Sequence, residues 1–409
     1  MKYFHFIFAC AILLSCSNPS IEPKVVDEQE PEKTWWRMEI SLSDSVDLPI
    51  ILSSEPGELN FTIHNASEQI QLKNIRQVGD SIYMEMPVFQ SGFEGIIGEN
   101  AMSGELVKYD AENYRLPFKA EKNVSERFKI QNLPCCKLAK KYKVTFRPDL
   151  ENAYNAIGEF TLEGNKVTGS FLTETGDARF LEGVLDGNTL KLSAFDGNHL
   201  YRYDAFLADN GTMKGIFFSG RSRADKWIAE PNDTFELADP ESLTYLKDGE
   251  TEITFSFPTT SNEIIDFNKE AYSGKAVVLQ ILGSWCPNCM DESRYLQERY
   301  TKYHEQGLEV IGLAFERKRD QNISFKAIDK MVEDLGITYP VVFAGSTKIE
   351  DREKALPQLN KIMSFPTSIY INKKGEVVKI HTGFAGQGTS EYDNFVKETD
   401  GLIETLLSE

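Results

Sequence analysis

The clearest chemistry in this chain lies in two cysteines two residues apart, in Cys286-Pro287-Asn288-Cys289. On a helix, thiols at that spacing lie about one turn apart, close enough to close a disulfide on each other. One thiolate attacks a partner disulfide, the second attacks the first, and two electrons have moved. The nucleophile is the thiolate, and a helix N-terminus stabilises it through unpaired N–H groups and the macrodipole. The flanking pattern supplies that position. Residues 276–282 are an apolar run that reads as a buried strand, and 290–306 reads as a helix closed by Gly307.

A second pair, Cys135-Cys136, is adjacent in sequence. Neighbouring cysteines can form a strained vicinal disulfide that is easily reduced, which would make them a relay for the first pair. They read more readily as a structural bridge or as two plain thiols in a linker, since nothing around them suggests an activated thiolate. The remaining cysteines, Cys10 and Cys16, fall in an N-terminal export signal. Lys2 gives it a charged start, residues 3–14 are apolar, and Leu13-Leu14-Ser15-Cys16 resembles the bacterial lipobox. That stretch is well short of the roughly 20 residues that span a bilayer. Residues 1–15 are therefore expected to be a signal peptide, Cys16 the lipid attachment site, and 16–33 a disordered acidic, proline-bearing tether. The compartment would be oxidising, and paired cysteines there suggest disulfide chemistry before metal binding. His64, His199, His304 and His381 form no ligand cluster with them, so no metal is expected.

A chain of 409 residues with 41% hydrophobic content has material for two or three domains. The net charge of -19 argues against nucleic acid, which needs a basic face. From residue 34 to about 240, short alternating runs are separated by Gly, Asn and Asp turns with no helical period, which predicts an all-β antiparallel region, sandwich or barrel. It reads as duplicated. The stretches 79–86, 103–108 and 119–123 match 186–193, 211–216 and 227–232 at a near-constant offset, giving β-rich repeats over 34–130 and 137–240. Trp35, Trp36 and Trp227 fit core or binding surface equally well.

From residue 252 to 409 the pattern alternates strands and helices. Strands are expected at 253–257, 276–282, 308–315, 339–344, 367–371 and 376–381. Asp266 and Phe267 fall in a loop. Helices are expected over the 325–335 face, over 351–363 with Pro357 kinking it, and over 390–407.

With Gly283-Ser284-Trp285-Cys286-Pro287-Asn288-Cys289-Met290-Asp291-Glu292 and Ser364-Phe365-Pro366-Thr367, this order resembles the TlpA/ResA-like branch of the thioredoxin fold, which comprises exported thiol-disulfide oxidoreductases. The resemblance implies that Cys286 is the nucleophile, that Cys289 resolves the mixed disulfide, and that no metal or organic cofactor is needed. It implies that Pro366 is the cis-proline facing the cysteines, with Phe365 offering backbone groups to substrate and Trp285 flanking the thiol. Where thioredoxin has a buried Asp, this chain has Gln280. Glu292, one turn beyond Cys289, matches an acid of this branch and reads either as proton acceptor or as a solvated helix carboxylate.

The sequence thus describes a multidomain envelope protein with an α/β thioredoxin-fold C-terminal domain. Its expected activity is disulfide reduction. The partners implied are envelope protein thiols or disulfides, apocytochrome c among them, an upstream membrane reductase that donates electrons, and the membrane itself through the lipid. Two alternatives remain. A peroxidase of this fold would carry Thr or Ser where Gly283 stands. A non-catalytic lipoprotein would use the β module for binding and the cysteines as a staple.

Overall fold

The computed structural model describes Met1 and residues 33–409. The expected signal segment, Cys16 and the tether fall on residues 2–32 and so lie outside the described residues.

The N-terminal region is all antiparallel β, in two nine-stranded sheets. The first runs, in spatial order, Glu68–Gln71, Thr62–Asn65, Val46–Ser54, Thr34–Ser43, Arg115–Lys122, Ala101–Lys108, Ser91–Ile97, Ser81–Glu85 and Lys73–Val78. The second contains a closed barrel. Eight strands pair in chain order: Lys141–Phe146, Tyr154–Glu163, Lys166–Thr173, Leu181–Asp186, Thr189–Phe195, Leu200–Leu207, Met213–Ser219 and Arg223–Pro231. The last returns to pair with the first, Val144 opposite Ala229. The sequence-matched stretches lie on strands with corresponding places in the two spatial orders. Closure differs because Lys166–Thr173 bonds both Tyr154–Glu163 and Leu181–Asp186. At the matching place the first sheet has the two short strands at 62–71.

Alternation along the barrel strands points every second side chain inward. Tyr142, Val144 and Phe146 come from one strand, and Met213 and Phe217 from another. With Phe171 and Trp227 they build an aromatic interior. Eight strands leave room for side chains to fill, or for one small ligand. Trp227 and Trp36 are core residues, whereas Trp35 is half-buried against His64.

The C-terminal domain comprises β1 (Phe255–Pro258), β2 (Ile264–Phe267), β3 (Ala276–Leu282), α1 (Pro287–Tyr303), β4 (Leu308–Glu316), α2 (Gln321–Leu335), β5 (Val341–Ser346), α3 (Ile349–Ala355), β6 (Thr367–Ile371), β7 (Val377–Thr382) and α4 (Tyr392–Ser408). Its sheet order is β5-β4-β3-β6-β7. The pairs β5–β4 and β4–β3 are parallel, and β3–β6 and β6–β7 antiparallel, which is the thioredoxin arrangement. The central strand β3 is buried along its whole length. Val278 and Leu282 face the core under α1, α2 and α4, and Val277, Leu279 and Ile281 face the opposite core.

Local differences from the sequence expectation have physical causes. Asp266 and Phe267 lie in β2, which pairs with β1 as a hairpin, Phe255 opposite Phe267, so the segment is extended and not a loop. The helix expected over 351–363 is α3, which ends at the Leu356 cap, because Pro357 cannot donate to the preceding turn. Gly176 and Asp177 form a two-residue strand paired with Thr173 and Leu172.

Candidate active site

Pro287 opens α1 at N1 and Cys286 is its N-cap. The Cys289 backbone N–H donates to Cys286 Sγ at 3.3 Å, so the helix end directs one of its unpaired donors at the sulfur. Cys286 and Cys289 are joined as a disulfide, with Cα atoms 5.2 Å apart. Phe365–Pro366 is a cis peptide, and the Phe365 carbonyl lies 3.5 Å from Cys286 Sγ. Trp285 stacks edge-on against Phe365 with centroids 5.4 Å apart. Its indole N–H donates to the Phe315 carbonyl. The structure thus brings Cys286, Cys289, Trp285, Phe365 and Pro366 together.

Glu292 is buried beside them, not solvated. Gln280 faces α1 from β3, and its Nε2 donates to Glu292 Oε2 at 2.9 Å and to the Cys289 carbonyl at 3.2 Å. Ser368 Oγ donates to Glu292 Oε1 at 2.9 Å. Burial pushes the Glu292 carboxyl up to about 7, while the Gln280 and Ser368 hydrogen bonds pull the other way. Gln280, at the place of the buried Asp of thioredoxin, therefore holds another acid. Its Oε1 accepts from Ser293 and Tyr339, so both ends of the amide are used.

Sequence reasoning missed several neighbours. Glu316 is buried and accepts from the Ser284 N–H and hydroxyl at 2.8 and 2.7 Å, which ties the loop before Cys286 to β4. A Cβ on Gly283 would stand 2.3 Å from Trp285 Nε1 and 2.9 Å from the Phe315 carbonyl oxygen. The Thr or Ser of a peroxidase has no room there.

The larger omission is the β-rich region, which lies over the cysteines. Thr175 accepts a hydrogen bond from Ser364 Oγ at 2.7 Å, beside the cis peptide. Gly176 sits against Asn288, and a Cβ added there would be 3.2 Å from its side chain. Asn198 donates to the Trp285 carbonyl at 2.8 Å. Arg179 grips Asp291 with two bonds of 2.7 and 3.0 Å and also pairs with Asp196 and Glu68. One buried guanidinium thereby joins both sheets to α1. Cys286 is left only 5% exposed and Cys289 fully buried. Each covering residue is an ordinary surface type with no motif around it. The one sequence signal was Arg179 itself, a cation within an otherwise apolar run.

Cys135 and Cys136 are free and exposed. A hydrogen bond from the Cys136 thiol to Cys135, followed by partial desolvation, pushes the Cys136 thiol up to about 11, away from reactivity. Among the described residues no group of three or more His, Cys, Asp or Glu is placed to hold a metal ion.

These are the features of a thioredoxin-fold redox centre. Residues 247–396 match the Redoxin family model. The chain is 29% identical over 150 residues to the thiol-disulfide oxidoreductase ResA of Halalkalibacterium halodurans, covering 36% of this chain and 77% of that one. It is 31% identical over 112 residues to ResA of Geobacillus kaustophilus, covering 27% and 57%. For ResA of Bacillus subtilis the figures are 29% over 131 residues, covering 31% and 66%. In the last two, the match spans less than two thirds of the relative. A solved thioredoxin family thiol:disulfide interchange protein from Chlorobium tepidum aligns over 39% of this chain and 99% of its own, at 20% identity and TM-score 0.30.

Proposed function

We propose that this protein is a thiol-disulfide oxidoreductase that works as a reductase through Cys286 and Cys289. The observation that carries the reading is Cys286 at the N-cap of α1, its sulfur accepting an N–H from the helix and facing the Phe365–Pro366 peptide. In the dithiol form that bond favours the Cys286 thiolate. The thiolate attacks a substrate disulfide, forming a mixed disulfide and expelling one substrate thiolate. Cys289 then attacks Cys286 Sγ, restores the disulfide and releases the second thiolate.

Cys289 must lose its proton in the second step, and in this reading Glu292, buried one turn further along α1, takes it. A carboxyl near 7 can be ionised when the thiol is protonated and can accept its proton without a large uphill step. Gln280 positions that carboxyl and the Cys289 turn together. Trp285 and Phe365 line the approach.

The rest of the reading follows the lipobox-like motif and the family resemblance of the C-terminal domain. The protein is exported, attached to the envelope membrane through Cys16, supplied with electrons by a membrane reductase, and directed at envelope protein disulfides such as those of apocytochrome c. Alkylation of the reduced protein across pH, with mass analysis of each cysteine, tests the chemistry. Cys286 should react with a midpoint at least about one unit below the ordinary thiol value near 8.5. A midpoint at or above 8.5 overturns the reading.

A further inference from the structure

A cavity of about 650 Å³ lies between the barrel mouth and the disulfide. Its floor is Trp285, Cys286, Pro287, Asn288 and Phe365, and its walls are the inward residues at one end of the barrel. Phe171, Tyr203 and Phe217 stack in series, with centroids 4.5 and 4.3 Å apart, and Tyr201 meets Phe217 edge-on at 5.2 Å. Burial raises both tyrosine phenols, so they stay neutral. Arg223, over the Phe217 ring, is already paired with Asp225. The chamber is therefore aromatic along its barrel wall, with Glu174, Asp177 and His199 also at its lining, and its size suits a small ligand or one or two amino-acid residues.

Two further observations define what fits. Asn288 is 8% exposed and lines the cavity, and its Nδ2 has no hydrogen-bond partner among the described residues. A buried amide donor without a partner costs free energy unless a ligand supplies an acceptor, and a peptide carbonyl is one. The segment carrying Thr175 and Gly176 crosses the cis-peptide loop, where a broad protein surface would otherwise approach.

We propose that the barrel is the specificity element of the reductase and that the substrate is an extended cysteine peptide in disulfide linkage, with an aromatic side chain beside its cysteine. The aromatic ring enters the chamber formed by Tyr201, Tyr203 and Phe217, the peptide carbonyl accepts from Asn288 Nδ2, and the disulfide meets Cys286. This rests on the reductase reading above. The Cys286 thiolate forms a bond to one substrate sulfur and expels the other as thiolate. Cys289 then closes the protein disulfide and expels the first, so the protein dithiol supplies both electrons.

The test uses the reduced full-length protein and three disulfides: the dimer of N-acetyl-Cys-Phe-amide, the dimer of N-acetyl-Cys-Ala-amide, and folded insulin. The aromatic peptide should be reduced with a kcat/KM about tenfold or more above that of the alanine peptide, since burying the ring stabilises by about 1.5–3 kcal/mol. Insulin should be slower than either peptide. Tyr201→Leu with Phe217→Leu should reduce the peptide preference to about threefold or less, chiefly through KM. Equal rates for the two peptides in the native protein overturn the proposal, and that comparison needs no variant to fold. So does insulin reduced as fast as the aromatic peptide, or an unchanged preference in a double variant of unchanged Tm. If none of the three disulfides is reduced, the reductase reading itself fails and takes this one with it.

Discussion

In the thioredoxin-fold domain the reacting groups are neighbours in the chain. Trp285, Cys286, Cys289 and Glu292 occupy one loop and one helix, and Phe365 with Pro366 faces them across the β3–β6 pair. In the β-rich region the groups that face Cys286 come from separate strands and turns, among them Phe146, Tyr154, Phe171, Gly176, Tyr203 and Phe217. They meet only because the barrel closes through the Lys141–Phe146 and Arg223–Pro231 pair. The first region carries the electrons and the second decides what reaches them. A helix end can activate a thiol with local structure alone, whereas a chamber requires long-range strand pairing.

The strongest way to break this division is to move the chemistry. Cys286→Ser should lower disulfide reduction to the uncatalysed background, a loss on the order of a thousandfold or more. Cys135→Ser with Cys136→Ser should leave the rate within about twofold, measured on the same peptide disulfide. A large loss in the second variant would place reacting atoms in the β-rich region and end the comparison as drawn.

Removing the clamp between the regions comes next. Arg179→Met removes the cation shared by Asp291, Asp196 and Glu68, of which Asp291 keeps Arg294 and Asp196 keeps His199, at a cost of about 3 kcal/mol in denaturant unfolding. The cover should also loosen, so a bulky maleimide should label reduced Cys286 at least about tenfold faster while iodoacetamide changes little. Equal gains for both reagents would mean that the cover does not gate by size.

Glu292 tests the redox side through pH. Its folded carboxyl sits near 7 against an ordinary value of 4.5, so between those values the folded state holds a proton that the unfolded chain has lost. Stability contributed by the neutral form is complete below about 4.5 and is lost as pH rises to 7, by about 3 kcal/mol. Glu292→Gln should remove that slope, read as Tm against pH, and should slow the resolving step about tenfold or more at pH 7. An unchanged slope would assign the titration elsewhere.

The smallest effect should come from the seam. Gly176 has φ 137° and sits on Asn288, so Gly176→Ala should cost about 1 kcal/mol and raise KM for the aromatic peptide several-fold.

What the sequence disclosed follows the range of the interactions. The dithiol motif, its strand and its helix cap are local patterns, and Pro366 was legible through the family resemblance of its Phe365-Pro366-Thr367 segment. The β character was legible from alternation at residues such as Tyr201 and Tyr203, which share a face. Barrel closure was not, because nothing near Val144 says that it will lie opposite Ala229. Gln280 read as the loss of an acid. Yet a lone polar side chain inside the buried run of β3 must find partners, and here those are Glu292, Ser293 and Tyr339. Thr175 gave no such signal, and Arg179, though a visible cation, gave none of its partner Asp291, since Ser364 and Asp291 lie far along the chain in the C-terminal domain.

The central claim is that electrons pass through Cys286 while Cys289 resolves, and trapping measures it directly. Cys289→Ser, reduced and then offered the disulfide dimer of N-acetyl-Cys-Phe-amide, should stall as a mixed disulfide. Mass spectrometry should find one peptide attached to Cys286 and none on Cys135 or Cys136. No adduct, or an adduct on Cys135 or Cys136 in place of Cys286, would contradict the account.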